Sequence, residues 1–169
     1  MSWMDRLKLV IATCFGLGYS PILPGTCGAL IGVATYLGIE HFVEKEPWQT
    51  TALGVALLVW FSITVGLSDW AEEFFHKKDS GIFVTDEVVG FLITVLLWRV
   101  ADAPILTVLW AFPATRIIDI LKIPPAKRLE RLPGGWGVVA DDVLGSLYAA
   151  GLLHIISWAL PEWFATAAG

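Results

Sequence analysis

The chain has 169 residues, of which 56% are hydrophobic and only 16% charged. Soluble domains carry about 25% charged residues, and disordered chains combine low hydrophobicity with high charge. Disorder is therefore excluded, and an ordinary soluble domain is disfavoured. A net charge of −5 argues against nucleic acid as a partner, because phosphate backbones are bound by clustered Lys and Arg. The length is that of one domain, expected over residues 1–169. Cys14 and Cys27 make no disulfide framework or metal spacing; both read as small buried hydrophobes.

Long apolar stretches predict an all-α, compact helical membrane protein with about four hydrophobic segments, some broken or re-entrant. Leu9 to Ile39 carries no charge but is too long for one span. Pro21, Pro24 and Gly25 break it, which predicts a helix, a bend and a second helix. Thr50–Leu67 and Val143–Pro161 each fit one helix. Val88–Thr115 is apolar except for Arg99 and Asp102. It is either one span with both charges buried or a short hairpin with both at its tip. The cost of charge deep in a bilayer favours the hairpin. The weakly basic start, Met1–Lys8, precedes an apolar stretch too long for a signal peptide.

Charge asymmetry supports a multi-pass topology. With the N-terminus in the cytoplasm, Arg6, Lys8, Lys77, Lys78, Arg116, Lys122, Lys127, Arg128 and Arg131 fall inside. Only Lys45 and Arg99 fall outside, as the positive-inside rule expects. This count favours a single crossing within Leu9–Ile39. Trp3, Trp48, Trp70, Trp98, Trp110 and Trp163 lie near segment ends, where interfacial tryptophans gather.

Polar residues in so apolar a chain cluster in three places. The first runs from Gly16 to Gly28 and includes Ser20, Pro24, Gly25 and Thr26. Its bends free backbone N–H groups that can hold an anion near a helix start. A plain kink between helices is the simpler reading. The second holds Asp86 and Glu87, adjacent carboxylates opening an apolar segment, followed by Gly90. Such a pair complements the helix dipole, or, pointing about 100° apart, addresses two metals or a metal and a partner residue. The third holds Arg116, Asp119 and Lys122, three apart on one helix face that Pro124 and Pro125 end. Gly134, Gly135 and Gly137 then make a loop able to present N–H groups to phosphate, and Asp141 and Asp142 form a second acidic pair. Hard oxygen ligands suit Mg²⁺, and Arg and Lys suit phosphate. Together these residues read as a phosphoryl-transfer constellation on one side of a membrane.

The motifs Ser20-Pro-Ile-Leu-Pro-Gly-Thr-Cys-Gly, Val84-Thr-Asp-Glu-Val-Val-Gly90, Arg116-Ile-Ile-Asp-Ile-Leu-Lys122 and Gly134-Gly-Trp-Gly-Val-Val-Ala-Asp-Asp142 follow one another in order. With them the chain resembles the phosphatidylglycerophosphatase A family over roughly Phe15 to Gly151. Four ordered motifs are far more specific than one. The resemblance implies a phosphoric monoester hydrolase of glycerophospholipid synthesis in the bacterial plasma (inner) membrane. It implies hydrolysis of phosphatidylglycerol phosphate to phosphatidylglycerol and inorganic phosphate, with Mg²⁺ required. Carried over by position, Asp86, Glu87, Asp141 and Asp142 are the acidic motif residues, and Arg116, Asp119 and Lys122 match the family's Arg, Asp and Lys. Three positions depart from the usual pattern: Thr115 stands where Phe is usual, Ile123 precedes the prolines, and Val139 replaces Met. These positions touch packing more than chemistry.

The expected site thus assigns metal to Asp86, Glu87, Asp141 and Asp142. Substrate phosphate is assigned to Arg116, Lys122, Thr26, Gly134 and Gly135, and catalysis to Asp86, Arg116, Asp119, Lys122 and Asp142. The partners are a phospholipid substrate and the membrane; the sequence leaves the oligomer open. Two rivals stand beside this reading: a small membrane transporter or Mg²⁺-binding membrane protein, and an inactive ligand-binding relative. Broken helices and mid-membrane acids mark transporters. The acids here are instead expected near helix ends, on the side with most of the bases.

Overall fold

The computed structural model describes residues 1–44, 46–77, 80–129 and 135–164, without the side chains of 127 and 128. Its helices are α1 (Trp3–Ala12), α2 (Pro24–Phe42), α3 (Trp48–Phe75), α4 (Thr85–Leu97), α5 (Pro104–Leu121), the single turn α6 (Ala126–Leu129) and α7 (Gly135–Ala159). No strand occurs among the described residues. The expected all-α class and the break in the first apolar stretch are both present. Short 3₁₀ turns at Leu17–Tyr19 and Pro161–Trp163 complete the path.

Among the described residues, three helices, α3, α5 and α7, are long and apolar enough to cross a membrane. At 1.5 Å per residue, the 28 residues of α3 reach about 42 Å, against a hydrocarbon core of about 30 Å. Their outer faces leave Val55, Leu58, Leu109, Ile155 and Trp158 exposed. Such a surface is costly in water and unremarkable against lipid tails.

The third apolar stretch is a hairpin, with Arg99 and Asp102 in the turn between α4 and α5. Asp102 takes a left-handed conformation (φ 56°) that Asp tolerates better than most residues. At 13 residues α4 spans only about 20 Å, too short to cross. It is instead the central helix, packed against α2, α3, α5 and α7. Val88, Val89, Phe91, Leu92 and Val95 are fully buried, as expected for a helix apolar on all faces. Phe91 meets Tyr36 of α2 and Phe112 of α5 edge-on.

Small residues let these helices approach closely. On α2, a Cβ at Gly28 would collide with Val84, and one at Gly32 would stand 3.1 Å from Phe91. On α4, Gly90 faces Ser146 and Asp142 of α7, so the room it leaves is filled by a neighbouring helix. Thr115, the departure from Phe, is buried on α5; its hydroxyl lies 3.0 Å from that of Thr94 on α4. The consequence of these contacts is that the first turns of α2 and α4, the last turn of α5 and the second turn of α7 meet at one end of the bundle.

The helix α1 lies beside that end. Ser2 and Asp5 close a capping box, and these hydrogen bonds hold the Asp5 carboxyl below its ordinary pKa. Asp5 accepts a hydrogen bond from Trp70 Nε1 (3.3 Å), and Lys8 sits over the same ring. Its opposite face exposes Trp3, Met4, Leu7 and Val10.

Candidate active site

Asp86 and Glu87 occupy the first turn of α4, as the sequence predicts. Asp86 is buried, and its carboxylate accepts the Glu87 backbone N–H at 3.0 Å. Asp119 and Arg116 stand three apart near the end of α5 and pair directly, Arg116 Nη2 to Asp119 Oδ2 at 2.8 Å. Arg116 also grips Glu87 with both terminal nitrogens; the Nη2–Oε1 arm measures 3.0 Å. A guanidinium fork is suited to holding a carboxylate this way. Arg116 is itself buried, so this is a helix-to-helix clamp between α4 and α5 inside the protein.

Asp141 and Asp142 lie deeper than expected. The sequence places them at the mouth of an apolar helix, but α7 already begins at Gly135. They therefore sit in its second turn, and both are buried. Neither caps the helix; both face neighbours. Asp141 Oδ2 takes Lys122 Nζ at 3.2 Å. Asp142 interacts electrostatically with Asp86, Glu87, Asp119 and Asp141. Lys122 terminates α5 in a left-handed conformation (φ 43°), which turns the chain toward α6. A water-sized crevice of about 10 Å³ separates Asp119, Lys122, Asp141 and Gly145.

One oxygen each from Glu87, Asp119 and Asp142 lies within 4.8 Å of the others, a spacing that one metal ion bridges. This group draws its members from α4, α5 and α7. It includes Asp119, and Asp86 and Asp141 stand beside it with the contacts just given. An all-carboxylate set fits a hard divalent cation such as Mg²⁺ or Ca²⁺. Among the described residues five carboxylates here accompany Arg116 and Lys122, so an anionic ligand would meet an excess of negative charge from these groups. A bound cation is the physical remedy. Arg116 Nε and Thr85 Oγ1 are buried without a partner among the described residues, leaving unused hydrogen-bonding capacity at this end of the bundle.

The first turn of α2 packs against the Glu87–Arg116 pair. Pro24 starts the helix and Gly25 follows. A Cβ at Gly25 would collide with Glu87 Oε1 and stand 3.3 Å from Arg116 Nη2. Gly25 therefore admits the Glu87–Arg116 pair against the α2 backbone. Its role is invisible in local pattern; only the Pro-Gly-Thr motif hinted at it. Thr26 is half-buried at the third position of α2, where N–H groups have no intrahelical acceptor. Gly135 is buried elsewhere, against Ser68 and Val65 of α3, so its missing side chain serves packing. Gly134 lies outside the described residues.

The phosphatidylglycerophosphatase A family model matches residues 10–157. The chain belongs to that family. It is a phosphatase. Two relatives named phosphatidylglycerophosphatase A are each 32% identical to it. That of Escherichia coli K12 aligns over 158 residues, 90% of this chain and 87% of its own. That of Haemophilus influenzae aligns over 165, 91% and 88%. A third relative, from Bacteroides thetaiotaomicron, is 33% identical over 91% of this chain and 96% of its own; it is named "Putative phosphatidylinositol-3-phosphatase". No solved structure matches the chain.

Proposed function

We propose that this phosphatase hydrolyses phosphatidylglycerol phosphate to phosphatidylglycerol and inorganic phosphate, using Mg²⁺, at the cytoplasmic face of the bacterial plasma membrane. The observation that carries the reading is the convergence of Glu87, Asp119 and Asp142 around Arg116 in a member of this family. The sidedness follows from the positive-inside count, which puts the carboxylate end of the bundle with most of the Lys and Arg.

Glu87, Asp119 and Asp142 would hold the cation, with Asp86 adding negative charge beside them. When bound, Mg²⁺ would neutralise phosphate charge and lower the pKa of a coordinated water. Arg116 would turn part of its fork from Glu87 toward the phosphoryl oxygens, whose charge grows during transfer. Lys122, held by Asp141, would offer a second cation from the same face, and Thr26 a hydroxyl and an N–H. The carboxylates that remain free of metal are the bases able to accept the proton from attacking water. Water attacks phosphorus, the ester bond to glycerol breaks, and the diol leaves protonated.

Phosphate release by detergent-purified chain tests this directly. Phosphatidylglycerol phosphate, phosphatidylinositol 3-phosphate and phosphatidic acid are compared with Mg²⁺ and with chelator. Fastest release from the first lipid, lost with chelator and restored by Mg²⁺, is expected. Preference for the inositol lipid would move the substrate toward that in the name of the Bacteroides relative. No release from any of the three by folded protein sinks the reading.

A further inference from the structure

We propose that a cleft beside the carboxylate cluster is a second phosphate subsite. Through it, Lys77 selects lipids whose headgroup carries a bridging phosphodiester besides the monoester that is cleaved. This rests on the lipid phosphatase reading above and specifies its substrate class.

The cleft has a volume of about 410 Å³, and its walls include Ser20, Pro24, Phe75, Lys77, Ser80 and Ile82. Two segments build both it and the cluster. The segment that contributes Ser20 and Pro24 to the cleft places Gly25, the next residue, against Glu87 and Arg116. The segment that contributes Ser80 and Ile82 runs on into Asp86 and Glu87 on the first turn of α4. A tight crossing pins the two together: a Cβ at Gly18 would collide with the carbonyl oxygen of Ile82. The cleft is therefore fixed to the cluster and separated from it by the first turn of α2.

Charge distinguishes the two compartments. In the cluster, Arg116 and Lys122 are both committed to carboxylates. In the cleft, Lys77 forms no ion pair with a described residue. Ser80 Oγ accepts the Ile82 N–H at 3.5 Å, which leaves its own hydrogen to donate. Phe75 and Ile82 give apolar wall between them. A cation, a hydroxyl donor and apolar surface suit a phosphodiester with short carbon arms. In phosphatidylglycerol phosphate one glycerol separates monoester from phosphodiester, and in the proposed pose the monoester occupies the cluster and the phosphodiester meets Lys77. Phosphatidylinositol 3-phosphate shares this two-phosphate layout. Phosphatidic acid has the monoester alone.

The test compares wild-type, Lys77→Gln and Lys77→Arg chains in mixed micelles on phosphatidylglycerol phosphate and phosphatidic acid of matched acyl chains. Lys77→Gln is expected to lower kcat/KM for the two-phosphate lipid by about tenfold, mainly through KM, since Lys77 is solvent-exposed and its contact screened. Its effect on phosphatidic acid should stay within about twofold, and Lys77→Arg should retain most of the preference. Wild type supplies an independent readout: KM for the two-phosphate lipid should rise more steeply with added salt than KM for phosphatidic acid. Equal losses on both lipids, no loss on either, or parallel salt dependence overturns the subsite. A wild-type chain that cleaves neither lipid overturns the phosphatase substrate reading, and the subsite with it.

Discussion

The two ends of this bundle handle charge in opposite ways. At the α2–α4–α5–α7 end, five carboxylates crowd around Arg116 and Lys122 among the described residues, and Asp86, Arg116, Asp141 and Asp142 are buried. At the other end, Arg99 in the hairpin turn pairs with Glu46 before α3 and reaches Thr50. Around it, Trp98 donates to Ser157 (2.9 Å), His154 Nε2 lies 3.1 Å from the Leu97 carbonyl, and Trp110 packs on Trp163 and Phe164. That end ties helix termini together with the Arg99–Glu46 pair and aromatic rings, as interfacial belts do, with half-buried Glu40 and exposed Asp102 nearby. Buried excess charge is expensive and persists where it is used. The contrast is the one expected if the first end carries the proposed chemistry and the second maintains the fold.

The sharpest way to break this contrast is to remove one cluster carboxylate without changing its shape. Asp142→Asn is expected to lower kcat by at least about 10³-fold, because it removes a charged ligand and leaves an amide that binds a hard cation poorly. The thermal unfolding midpoint should hold or rise, since the substitution also relieves repulsion from four neighbouring acids. Turnover near wild type would remove Asp142 from the site. Arg116→Lys should follow, with a loss of about 10²-fold. A single ammonium cannot grip Glu87 with two nitrogens and still reach Asp119.

A milder lesion sharpens the geometry. Gly25→Ala adds one methyl, yet that methyl falls on Glu87 Oε1 and beside Arg116 Nη2. The chain must shift α2 or displace the pair. We expect kcat to fall about tenfold and stability to drop by about 1–3 kcal/mol, the usual cost of overpacking. Gly38→Ala on the same helix, where nothing lies near, is the control and should raise stability slightly if it changes it at all. Equal effects at both positions would show that Gly25 matters only as a helix residue.

Much of this architecture is legible in the sequence, for a local reason. Runs of uncharged residues and Pro-Gly breaks give α2, α3, α7 and the hairpin, and the cost of burying Arg99 and Asp102 puts them in its turn. The acidic pairs and the Arg116–Asp119–Lys122 face are visible by spacing. What local pattern does not carry is where α7 begins. Starting at Gly135 rather than at the acids, it turns Asp141 and Asp142 from apparent caps into buried side chains. Nor does it carry which acids converge. Asp119 joins Glu87 and Asp142 because α5 and α7 both pack on α4, a tertiary fact set partly by Gly90. Gly25 is the extreme case, since its contact lies 62 positions away along the chain at Glu87.

The smallest effect is expected at the far end, and it tests the other half of the contrast. The Arg99–Glu46 pair is partly solvent-exposed, with side-chain exposures of 21% and 49%. Pairs of that kind contribute about 0–1 kcal/mol, because water screens the attraction and ordering two long side chains costs entropy. Arg99→Gln keeps length and hydrogen-bonding capacity toward Thr50 while removing the charge. Stability should therefore fall by less than about 1 kcal/mol, and phosphate release should stay within about twofold of wild type. Additivity supplies the stricter criterion. Sites with no shared partners act independently, so Arg99→Gln combined with Gly25→Ala should show the Gly25→Ala activity loss unchanged. A larger loss in the double variant would mean that α4, which joins the two ends through a rigid and fully packed core, transmits strain from the hairpin turn to Glu87.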